Sequence, residues 1–112
     1  MKKFLVLYQS TVPATERMKS ATPEQAKAGM DAWMSWAGRA KSGIVDMGNP
    51  LASAAKLNGS GQAAGGGSQV SGYSILQAES KEALIALMNN HPHFHAPGAS
   101  IEVLEFLPMP GT

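Results

Sequence analysis

The segments that most restrict how this chain can fold stand near its two ends. Lys3 to Gln9 and Ile101 to Leu107 both read as strands rich in branched and aromatic residues. Each is apolar on both faces: Phe4, Val6 and Tyr8 against Leu5 and Leu7 in the first, Ile101 and Val103 against Leu104 and Phe106 in the second. An antiparallel sheet with one wet face alternates apolar and polar residues. These two strands do not alternate, so both of their faces need cover.

Between them the helix signals are clear. Ser10 to Ala21, interrupted by Pro13, reads as a connection. Thr22-Pro-Glu-Gln25 then opens a helix, with threonine at the N-cap, proline at the first helical position and Gln25 completing a capping box. The run to Arg39 or Lys41 carries an apolar stripe at Ala26, Met30, Trp33, Met34, Ala37 and Ala40, which the helical period predicts to face the core. Lys27, Asp31, Ser35 and Arg39 fall opposite, and Trp36 lies at the stripe's edge. Gly29 and Gly38 each weaken this helix by about 1 kcal/mol relative to alanine, so packing must hold it.

Gly43 closes the helix, Ile44 to Gly48 begins a second strand, and Asn49-Pro50 bends it. Leu51 to Leu57 reads as extended and leads into Asn58-Gly59, a type I′ hairpin signal. Residues 59–69, rich in glycine and free of charge, are expected to be a flexible loop. Val70 to Ala78 is the third major strand. Ser80 caps a second helix from Lys81 to Asn89 or Asn90, whose stripe of Leu84, Leu87 and Met88 continues onto His91. Pro92 stops it. The tail, 108–112, is expected to be disordered beyond its first residues.

The order β-α-β-(hairpin)-β-α-β predicts an α+β, ferredoxin-like βαββαβ fold in a single domain spanning 1–112, with two helices on one face of an antiparallel sheet. No helix is left to cover the second face. A second copy packed sheet to sheet, a symmetric homodimer with a barrel-like interior, is therefore expected.

The same stretches resemble the YCII-related family of the dimeric α+β-barrel superfamily. The likeness rests on Lys3 to Tyr8, Thr22 to Gln25, Gly43 to Leu51, Ser71 to Gln77, Ser80 to Leu84, His91-Pro92-His93 and Ile101 to Val103. It implies the ferredoxin-like fold, a dimer, and a cleft between sheet and helices, in a superfamily that includes isomerases, lyases and monooxygenases. The His–Asp pair of better-understood relatives does not transfer, because this chain has no histidine before His91. Asn90-His91-Pro92 stands where those relatives have aspartate before proline. The Asp-Gly-Pro-Phe motif of another branch is also missing, its region being occupied by Gly65 to Gln69.

Composition narrows the function classes. The formal net charge is +1, with nine Lys and Arg scattered along the chain, so a nucleic-acid or anionic-membrane partner is not expected. Without cysteine, thiolate metal sites and cysteine nucleophiles are excluded. Phe4 to Tyr8 is too short for a signal peptide's apolar run, and the expectation is a cytoplasmic protein. Gly59 to Ala64 superficially fits a dinucleotide-binding pattern, but no helix follows it and no acidic residue stands at the right distance. No cofactor is expected.

All three histidines, His91, His93 and His95, lie in one short loop. If that loop were extended, residues two apart would point the same way and the three imidazoles could converge on a metal. The competing reading is a solvated loop that captures metal adventitiously. His91 is also the candidate acid or base, with Asp46 put forward by the fold reasoning as its orienting carboxylate. The ordinary alternative is a helix-terminal histidine bonded to a last-turn carbonyl. Tyr8, Trp33, Trp36 and His93 are the candidate ligand-binding residues, although periodicity favours plain core for Met30, Trp33 and Met34. The expected function is binding of a small, largely apolar organic molecule, with isomerase- or lyase-like proton transfer through His91. The alternative is a non-enzymatic dimeric binding module.

Overall fold

The computed structural model describes residues 1–65 and 67–110. Gly66 of the expected flexible loop, and Gly111 and Thr112 of the expected disordered tail, lie outside the described residues. The elements in chain order are β1 (Lys2–Gln9), α1 (Ala14–Ser20), α2 (Pro23–Ala40), β2 (Ile44–Asp46), β3 (Lys56–Leu57), β4 (Ala63–Ala64), β5 (Val70–Ala78), α3 (Lys81–Leu87) and β6 (Ser100–Glu105). The main sheet runs β2-β5-β1-β6 and all its pairings are antiparallel. The third major strand thus inserts between the first two, as the split βαβ of a ferredoxin-like fold requires.

Local signals placed most of these elements. Gln25 N–H donates to Thr22 Oγ1 at 3.1 Å while Thr22 N–H donates to Gln25 Oε1 at 2.9 Å, closing the capping box. Ser80 Oγ accepts from Ala83 N–H at 3.1 Å and starts α3. The connection 10–21 departs from expectation, since Ala14–Ser20 forms a helix of about two turns. Pro13 has the fixed φ that suits a helix entrance, so a residue read as an interruption in fact opens α1. The hairpin turn is also longer than a two-residue type I′. Asn58 and Gln62 close it around Gly59–Gly61, and Asn58 Oδ1 accepts from the Ser60 and Gln62 N–H groups and from Ser60 Oγ.

The inward side of α2 is a second correction. Trp36 and Ala40 are buried and Trp33 and Ala37 pack against the core, whereas Met30 and Met34 are 63% and 59% exposed. The helical period holds, but its phase turns onto the line Trp33, Trp36, Ala37 and Ala40. Met34 falls outside that line. Ala26 and Met30 fall nearer to it, but the stretch from Pro23 to Asp31 is exposed throughout.

The core is one layer of side chains between the helices and one face of the sheet: Phe4, Val6, Tyr8, Trp36, Ala40, Leu76, Ala78, Leu84 and Met88. From Lys3 to the end of β1 the burial alternates, with Leu5 and Leu7 on the other face only partly covered. Register places Ile75, Leu5 and Leu104 in one row across that second face, with Tyr73 and Leu7 beside them. Leu104 is 44% exposed there.

Candidate functional site

The aromatic and histidine residues singled out from the sequence converge between β1 and α2. The ring of His91 lies 5.0 Å from that of Tyr8, nearly parallel to it, and 4.6 and 4.4 Å from those of Trp33 and Trp36, edge-on to both. Tyr8 and Trp33 meet edge to face at 5.0 Å, and the ring of His93 lies 5.2 Å from Tyr8. His91 is fully buried and His93 nearly so.

Each surrounding group is tied down from a distant part of the chain. Trp36 Nε1–H donates to the Leu87 carbonyl at 2.8 Å, satisfying a carbonyl at the C-terminus of α3. It thereby takes the helix-end role that a terminal histidine would ordinarily fill. Tyr8 OH donates to Ser74 Oγ at 2.8 Å, which donates onward to the Met47 carbonyl at 2.7 Å. Burial raises the Tyr8 phenol to about 12, against the opposing pull of the Ser74 hydrogen bond. Ser74 did not emerge as a site residue from the sequence. Its signal was the period of two in β5, which places it on the same buried face as Leu76 and Ala78.

The histidine loop is not extended. Pro92–His95 forms a 3₁₀ turn, in which residues two apart point to different sides. His93 therefore turns inward and its Nε2–H donates to the Gln9 carbonyl at 2.7 Å, while His95 is exposed. Among the described residues no three His, Asp or Glu side chains come together as a metal site would need. Asp46 is not joined to His91 either. Its carboxylate is exposed and accepts from Gly48 N–H at 2.9 Å and, at 3.4 Å, from Tyr73 OH.

The turn has a consequence for His91. The backbone N–H of His93 donates to His91 Nδ1 at 3.0 Å, so the neutral ring carries its proton on Nε2. That Nε2–H is buried and has no acceptor, alone among the buried side-chain polar atoms of the described residues. Such a donor costs about 1–3 kcal/mol. Charging the ring is opposed as well: burial first, then His93 and then Arg39 push His91 down to about 4. Burial also lowers His93, with the Gln9 hydrogen bond acting the other way. The arrangement is a neutral imidazole with a proton to offer and a free lone pair on neither nitrogen. It can polarise an oxygen that reaches it, but it cannot take a proton without losing its bond to the His93 N–H.

Two open grooves lie elsewhere. One of about 310 Å³ runs between α1 and Asn49–Ala52, and another of about 240 Å³ lies beside Gly43 and Leu87.

No protein-family model matches the chain, and no curated protein matches it in sequence. Among solved structures, it is similar to 5-chloro-2-hydroxyhydroquinone dehydrochlorinase (TftG) from Burkholderia phenoliruptrix AC1100, in complex with 2,5-dihydroxybenzoquinone. The TM-score is 0.55 over 96% of this chain and 94% of that one, at 15% identity. The chain shares the α+β fold of that enzyme.

Proposed function

We propose that this chain is a YCII-related protein that binds a small, largely apolar organic molecule between sheet and α2, at the cluster of Tyr8, Trp33, Trp36, His91 and His93. One observation carries the reading: a fully buried imidazole whose Nε2–H has no partner, enclosed by aromatic faces. Aromatic walls with one convergent polar atom suit an organic ring bearing an oxygen. That a protein of the same fold was solved with a hydroxylated quinone supports the ligand class.

The role assigned to His91 is that of an electrophile, a neutral donor that polarises a carbonyl or enol oxygen. A general base would need a free lone pair and an orienting carboxylate, and His91 has neither. Calorimetric titration with 2,5-dihydroxybenzoquinone will give saturable binding, weakened about tenfold in a His91→Phe variant by loss of one buried hydrogen bond. Absence of saturable binding to the wild type would remove the reading.

The second part of the proposal is a homodimer through the open sheet face. The row Ile75, Leu5 and Leu104 is apolar and only partly covered by its own chain, Leu104 being 44% exposed, and a twofold mate supplies the same row in return. Sedimentation equilibrium will give twice the 11.7 kDa chain mass, and Leu104→Asp will shift it to the single chain. A wild type that sediments as one chain at micromolar concentration would contradict this.

A further inference from the structure

We propose that the Trp33 indole is a movable plug, holding the place of a planar ring anion (a phenolate or enolate) whose oxygen accepts from His91 Nε2–H. The proposal rests on the binding site argued above and names its gate and its ligand class.

The three rings around His91 are not equally held. Trp36 and Tyr8 are buried and each is fastened by a hydrogen bond, to Leu87 and to Ser74 respectively. Trp33 is half-buried and packs against the core and the rings of Tyr8, Trp36 and His91, with no hydrogen bond of its own among the described residues. It also stands where α2 passes from its bare N-terminal half to its packed C-terminal half. Among the described residues, swinging this indole toward solvent breaks no hydrogen bond and vacates one of the three rings that surround His91. The aromatic edges and faces around His91 are poor substitutes for an oxygen lone pair in front of its Nε2–H donor.

The charge of the occupant follows from its surroundings. Besides the mutual effect of His93 on His91, Arg39 of α2 acts on His91 and Arg17 of α1 on His93, and both are cationic. A cation is therefore disfavoured in the slot, and an oxygen with negative charge gains a stronger hydrogen bond from Nε2–H than a neutral one does. Tyr8 is raised to about 12 and His91 lowered to about 4, and burial pushes His93 in the same direction as His91.

The test uses 4-nitrophenol, which ionises near neutral pH, with wild-type protein and Trp33→Ala. Affinity is expected to rise about tenfold from about pH 6 to about pH 8.5 as the ligand, not the site, ionises. Removing the plug will tighten binding of the anion about fivefold. In the wild type alone, ¹⁵N spectra will show the Trp33 indole N–H signal move on binding while that of Trp36, fixed to Leu87, stays. Binding that ignores ligand ionisation, or an unmoved Trp33 signal, would overturn this inference and leave the site standing. No binding of either form to either protein would remove both.

Discussion

Replacing Gly48 with alanine will lower the thermal midpoint by about 15 °C or more, or prevent folding outright. Gly48 has φ +80°, and a methyl group built there would lie 1.7 Å from the Tyr73 carbonyl oxygen. The residue follows β2, where the chain still runs antiparallel against the backbone of β5 with no room for a side chain. Its N–H donates to Asp46, and the carbonyl just before it accepts from Ser74 Oγ. The left-handed backbone costs about 1–2 kcal/mol in any residue with a Cβ. Pushing β5 aside costs about 1–3 kcal/mol more. In a domain this size, each 1 kcal/mol moves the midpoint by roughly 4–8 °C. Because Ser74 supports Tyr8, the damage extends to the aromatic cluster. Gly29 supplies the control. It lies in the exposed half of α2 with nothing within 4 Å of an added methyl group, so Gly29→Ala will stabilise by about 0.5–1 kcal/mol. Thermal melts of the two variants with opposite shifts are the expected outcome; equal shifts would contradict the placement of Gly48.

Acid will destabilise this protein over a defined window. His91 is held down to about 4 in the folded chain, whereas in the unfolded chain it titrates near the ordinary histidine value of about 6.5. Between those values the unfolded state binds more protons, so stability rises with pH. The stability associated with the neutral ring is complete above about pH 6.5 and is lost as pH falls toward 4. Its full size is about 3 kcal/mol, the free-energy equivalent of that difference in proton affinity. His93, lowered by its own burial, adds in the same direction. Urea denaturation at several pH values measures the slope directly. His91→Phe keeps a ring of similar size and removes the proton, so the slope will fall to the part due to His93 and the carboxylates. A wild type equally stable at pH 4.5 and 7 would contradict the buried, neutral state of the loop.

Much of the fold was legible because the signals that carry it act over a few residues. Thr22 and Ser80 each cap the helix they were read to cap. Val70 to Ala78, read as the third major strand, is β5 to both of its ends. The continuation from Leu84 through Met88 placed His91 inward, where it lies. Met30 and Met34 show the limit of this reasoning. Their spacing fits the helix, but which line of a helix is buried depends on what lies opposite, and α2 meets the core only along its C-terminal half. The histidine loop shows it again, since an extended run and a 3₁₀ turn share the composition Pro92 to His95 but send His93 and His95 to opposite environments.

By itself the sequence determined the order of the main strands and of α2 and α3, the caps of those two helices, the apolar character of both faces of the terminal strands, and the gathering of every histidine near one helix end. Only the tertiary structure decided the chemistry of that gathering. The partners that set it come from far along the chain: Leu87 for Trp36, Gln9 for His93, Ser74 for Tyr8, at separations of 51, 84 and 66 residues. Local periodicity carries no information about such partners. The proton on His91 Nε2, and the missing acceptor in front of it, arise where a short turn meets walls that the topology brought from elsewhere.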